Sequence, residues 1–190
     1  MRRPALALAA TPLLALAACG GAEAGAEEHA SPVPDGVVEQ YGTLDDEVKE
    51  RGGRTTAGDW TVSYIVEAAE PWFEGHGQHE KFREPASGET HHIEIIPTET
   101  SSGRIVPDVP VNVQVIDEKG AVVDEQRLNF YYSTFFHYAN NFSVPADGSY
   151  TLRATLGATT FLRHGEESEQ PALTEGTTVT FQDVELTREG

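Results

Sequence analysis

From Trp60 onward the chain is written in short runs rich in Val, Ile, Thr, Tyr and Phe, separated by Gly, Pro, Asp and Asn. Apolar side chains at alternate positions suit a half-buried strand, in which successive side chains point to opposite faces of a sheet. "WTVSYIVEA" (60–68), "HHIEIIPTE" (91–99), "VNVQVID" (111–117), "QRLNFYYSTF" (126–135), "SYTLRATL" (149–156) and "TTVTFQDVEL" (177–186) carry this pattern most clearly. No helical period of useful length lies among them. "DEKG" at 117–120 and Asp147-Gly148 supply the permissive backbone that tight reversals between strands need. The pattern predicts an all-β fold, a β-sandwich over residues 58–190, with enough apolar positions to bury one core unaided by metal or disulfide.

The residues before that stretch read differently. Arg2 and Arg3 precede an Ala/Leu run from Ala5 to Ala18, too short and too rich in small residues for a spanning helix but right for an export signal. It ends in Leu16-Ala17-Ala18-Cys19-Gly20, which looks like a bacterial lipobox, and that resemblance implies an acylated Cys19 at the mature N-terminus. Cys19 is the only cysteine, so no disulfide forms within the chain. "GGAEAGAEEHASPVPDG" has little to bury and predicts a flexible acidic tether, while Val37 to Arg54 leaves a short helix and a loose chain both open. The expected organisation is a lipoprotein signal over 1–19, a tether over 20–57 and the sandwich over 58–190. The expected location is the outer face of the cytoplasmic membrane, in the periplasm or at the cell surface, held by the lipid.

A formal net charge of −18 argues against nucleic acid or an anionic lipid surface as partners, since both would be repelled, and it draws cations in. That turns attention to the seven histidines. His29 lies in the tether, and His76 and His79 sit in "FEGHGQHEKF", which reads as a solvated loop. In "THHIEIIP" the alternation of a strand sends His92 and Glu94 to one face and His91 and Ile93 to the other. An imidazole beside a carboxylate is half of a metal site, or a plain hydrogen-bonded pair. His137, in "FFHYANNF", reads as leaving a strand for a turn, and a neutral imidazole among aromatic rings needs a hydrogen-bond partner or a metal ion. His164 closes another β-rich run ahead of Gly165, Glu166 and Glu167. Three imidazoles and a carboxylate together suit a borderline divalent cation.

The stretch "HYANNFSVPADGSYTLRATLGATTFLRHGEE" resembles the bacterial periplasmic iron-transport protein family found alongside ferrous-iron permeases. The family's H-x-E strand, H-Y-G/A-x-N turn, G-x-Y-x-L/V strand and closing R-H are matched by His92-Ile93-Glu94, His137-Tyr138-Ala139-Asn140-Asn141, Gly148-Ser149-Tyr150-Thr151-Leu152 and Arg163-His164. The resemblance runs from about Asp59 to the end. It implies an immunoglobulin-like β-sandwich with a copper site formed by His92, Glu94, His137 and His164, often a homodimer, and a role in high-affinity iron uptake with a membrane iron permease as partner. One position departs: where the family has a methionine seven residues before the H-Y histidine, this chain has Phe130, and Met1 is its only methionine. With imidazole and carboxylate donors alone, copper(II) is favoured over copper(I), and iron, zinc and manganese stay open.

The expected activity is therefore non-catalytic capture and delivery of a transition-metal ion. Two alternatives compete. A metal-dependent hydrolase or redox enzyme would use the same donors, with Glu166 or Glu167 as the base, but H-E-x-x-H, G-x-S-x-G and nucleotide-loop motifs are all missing. A metal-free adhesion or interaction module would use the sandwich alone.

Overall fold

The alternating runs become two antiparallel sheets. The computed structural model describes residues 33–188, so the expected signal, Cys19 and the front of the tether lie outside the described residues. One sheet has five strands in the order β1 (Gly52–Ala57), β2 (Trp60–Ala68), β5 (His91–Glu99), β9 (Phe136–Phe142) and β8 (Asn129–Tyr132). The other has four, in the order β11 (Thr177–Leu186), β10 (Gly148–Leu156), β6 (Val111–Ile116) and β7 (Val122–Arg127). A separate hairpin, β3 (Trp72–Glu74) with β4 (Lys81–Arg83), is inserted between β2 and β5. The fold is the expected all-β, immunoglobulin-like sandwich. Its interior is a single cluster that includes Val62, Ile93, Ile95, Val113, Leu152, Phe142 and Leu186.

The "DEKG" reversal joins β6 to β7, with Gly120 at φ 82, a left-handed backbone that a side chain would strain. "QRLNFYYSTF" is not one strand. Leu128 is buried in the core between the sheets, and there the chain passes from β7 in the four-stranded sheet to β8 in the five-stranded one.

Ahead of residue 58, of the two alternatives left open for Val37 to Arg54 it is the helix that forms. Asp35–Arg51 is an α-helix, α1, followed directly by β1, so the folded part begins well before the boundary read from composition. Only one stripe of α1 is apolar: Leu44 and Val48, one turn apart, are its buried residues. They pack on Ile65, Ile96 and Phe135 as a second, smaller cluster outside the sandwich interior. Asp35 in the first turn and Lys49 and Arg51 in the last complement the helix dipole. A Cβ at Gly52 would collide with the carbonyl oxygen of Tyr64, so the closeness of the helix end to β2 depends on glycine there. Among the described residues no helix is long and apolar enough to cross a membrane.

Candidate metal centre

The outer face of the five-stranded sheet carries the site. β5 sends Ile93 and Ile95 into the sandwich and His92 and Glu94 to the other face, as the alternation required. β9 pairs with β5 through Glu94↔Ala139 and Ile95↔Tyr138, which sets His137 diagonally across from Glu94 on the same face. His137 is the second residue of β9, entering a strand and not leaving one, and the two asparagines read as turn punctuation continue that strand. α1 shields one part of this face and the β3–β4 excursion borders another. Between them lies a cleft of about 910 Å³ whose lining includes Glu47, Glu67, Glu70, Trp72 and Tyr131 as well as the two histidines and Glu94.

His92, Glu94 and His137 are all buried, and each offers a donor atom within 4.8 Å of the others. Their hydrogen bonds fix which atoms face the cleft. His92 Nδ1 lies 2.9 Å from Asn141 Oδ1, whose amide nitrogen is already donating to the Glu70 carbonyl at 2.8 Å. Oδ1 must therefore accept, Nδ1 carries the proton, and the lone pair of His92 is on Nε2. His137 Nδ1 donates to the Phe135 carbonyl at 3.3 Å, which leaves its Nε2 lone pair 3.6 Å from Glu94 Oε1. Orienting a ligating imidazole through its other nitrogen is how metal centres hold their histidines. Tyr131, paired with His137 across β8 and β9, stacks on its ring at 5.5 Å and 12°.

Burial and neighbouring carboxylates dominate the electrostatics of the site. Burial pushes the Glu94 carboxyl up to about 8, and the negative charges of Glu67, Glu47 and Glu70 add to the shift against the lowering effect of Arg51. Burial drives His137 down to about 4, partly offset by the Phe135 carbonyl, and lowers His92 as well. At neutral pH the imidazoles are neutral and Glu94 is largely protonated, so the close approach of His137 and Glu94 is not an ion pair. Glu94 Oε2 is buried with no hydrogen-bond partner among the described residues. A divalent cation would give Glu94 Oε2 a partner and would stabilise its carboxylate form. The donor set, two imidazole nitrogens and a carboxylate oxygen, fits copper(II), zinc or iron(II).

His164 stands apart from these three. It is exposed on the long connection after β10, beside Glu99 and Arg104 in a different cleft, at the end of β5 roughly 20 Å along the strand from His92. Glu166 and Glu167 are exposed near it and offer nothing to the cluster. His76 does line the larger cleft, while His79 is exposed on the same turn. Phe130 stacks on Phe136 and Tyr138, and it is the next residue, Tyr131, that lies against the histidines. Asn141, Trp72, Glu67 and Glu70 were not singled out as site residues from the sequence. Asn141 had a signal, since it follows His137 by two strand steps and so shares its face.

The chain matches no protein-family model and no curated protein sequence. Its fold is similar to solved structures. FetP of uropathogenic E. coli aligns with a TM-score of 0.53 at 14% identity, over 72% of this chain and 96% of that one. A copper-bound variant of FetP aligns with 0.58 at 11%, over 73% and 92%. Copper-reconstituted P19 of Campylobacter jejuni gives 0.55 at 16%, over 73% and 97%. At these identities the likeness is one of fold.

Proposed function

We propose that this protein is an extracytoplasmic carrier that captures a transition-metal ion, copper(II) or iron, and assists iron uptake by delivering it to a membrane permease. The observation that supports this most strongly is the convergence of His92, Glu94 and His137, with both Nε2 lone pairs free and a buried Glu94 oxygen unpartnered. That two structures similar in fold contain copper adds weight. The glutamates around the cleft would concentrate cations near it, within a screening distance of about 8 Å at physiological salt. Lipidation of Cys19 would keep the carrier at the membrane where a permease works.

His164 would complete the centre from a second copy. Within one chain it is out of reach, yet it is exposed, and the strand pair β8–β9 carries exposed Phe130, Tyr132 and Phe136 at the edge of the sheet, of which Phe130 and Tyr132 also line the cleft, a surface suited to a homodimer. The reading is of a carrier and not a catalyst. Isothermal calorimetry with copper(II) on chelator-stripped protein tests it, with saturable heat expected in the wild type and a large loss of affinity in His92→Ala. Saturable heat that survives in His92→Ala would place the ion elsewhere. Hydrolytic or oxidative turnover by the loaded protein would replace a carrier with an enzyme.

A further inference from the structure

Residues 69–90 leave the five-stranded sheet after β2 and return to it at β5, and the hairpin they contain pairs only with itself. Thr90 ties its far end to Phe142 and Val144, and Trp72 packs on Tyr131; the rest of the excursion is fastened by a circuit of side chains that begins and ends at His92. Asn141 Oδ1 accepts from His92 Nδ1 at 2.9 Å and from the Glu70 amide at 3.1 Å. Its Nδ2 donates to the Glu70 carbonyl at 2.8 Å and to Glu89 Oε2 at 3.2 Å. Glu89 accepts from Arg83 Nη2 at 2.5 Å and from the Ala86 amide at 2.7 Å. The Arg83 guanidinium lies 4.1 Å over the Trp72 ring, which packs back against His92 with 6.4 Å between ring centres. Every hydrogen bond of the Asn141 side chain thus goes either to His92 or to the excursion.

We infer that residues 69–90 form a strap latched to His92 through Asn141, so that a metal ion in the cleft and the closed strap stabilise each other. The inference rests on the metal reading above. Binding at His92 Nε2 draws electron density from the ring and makes Nδ1–H a stronger donor to Asn141. A firmer His92–Asn141 bond holds the amide in the one orientation that also engages Glu70 and Glu89. The coupling is reciprocal: the factor by which the closed strap raises metal affinity equals the factor by which metal favours closure, typically about 5- to 150-fold. Strap opening would be the route by which the ion leaves, because Trp72 lines the cleft and lies against His92.

Amide hydrogen exchange on the full chain, with and without copper(II), reads the strap, and calorimetry on the same samples reads the ion. Copper should slow exchange across 69–90 by a factor within that range. Asn141→Ala should abolish the slowing and weaken copper binding about 10- to 100-fold. Glu89→Ala contacts no ligand and keeps the test valid if Asn141→Ala fails to fold: it should lower strap protection, shrink the copper-dependent slowing and weaken copper binding. Copper heat without any change in strap exchange would overturn the latch and leave the metal centre standing. So would a copper-dependent slowing across 69–90 as large in Glu89→Ala as in the wild type. Absence of copper heat in the wild type would remove the centre itself, and the latch with it.

Discussion

Glu94 is the residue on which the chemistry turns. Its carboxyl is held at about 8 by burial and by neighbouring acids, against an ordinary value of 4.5, so between those values the folded state keeps a proton that the unfolded state releases. Stability from this group is therefore full below about pH 4.5 and is lost as pH rises toward 8. Glu70, raised to about 7 by burial and by Glu67, acts in the same direction. His137 acts oppositely: with a folded value of about 4 against 6.5, its contribution is present above 6.5 and lost as pH falls. The two trends oppose one another below 6.5 and only the carboxyl trend remains above it. Metal-free protein should accordingly show a falling Tm from pH 6.5 to 8, and Glu94→Gln should flatten the curve. Copper should abolish the decline and release about one proton per ion at pH 7, seen as a buffer-dependent binding enthalpy. His137→Ala should stay folded and lose more copper affinity than the 10- to 100-fold typical of an outer partner such as Asn141. Alternation along one strand was enough to place His92 with Glu94. Trp72 and Glu70 could not be found that way, because they reach the site from an inserted segment whose path no local period encodes.

At the scale of elements, the same sheet face is shared by two covers with different physics. α1 is held by apolar burial, through Leu44 and Val48 on Ile65, Ile96 and Phe135. Leu44→Ala should cost about 2–5 kcal/mol in chemical denaturation, and because Phe135 also supplies the carbonyl that orients His137, it should weaken copper binding as well. An unchanged affinity in that variant would show that the helix is independent of the centre. The strap is held by hydrogen bonds and by one stacked arginine, the weaker arrangement and the one suited to opening. Strands rich in Val, Ile and Thr between turn residues, β2, β5, β6, β10 and β11, were legible from the sequence to within a residue or so. α1 was not, since its single apolar stripe is thin and flanked by Gly36 and Gly42. β9 was missed because Asn140 and buried Asn141 have the chemistry of turn residues until their partners are known.

For the molecule as a whole, the sandwich class was written in the sequence while the assembly of the site was only partly so. Three of the four proposed donors gather in one chain. The fourth, His164, is exposed on a different cleft, and in the proposed dimer a second copy would present it. This predicts complementation: His137→Ala and His164→Ala proteins, each weak in copper binding alone, should recover tight sites when mixed, because one site in each mixed dimer then has every donor. Sedimentation should show a dimer under the same conditions, and a monomer that binds copper fully would remove His164 from the centre. The central claim is that His92, Glu94 and His137 hold the ion, and paramagnetic resonance of the protein loaded with one equivalent of copper(II) tests it most directly. The expected spectrum shows coupling to imidazole nitrogen, which changes in His92→Ala and again in His137→Ala. A spectrum identical in the wild type and in the double variant would contradict it.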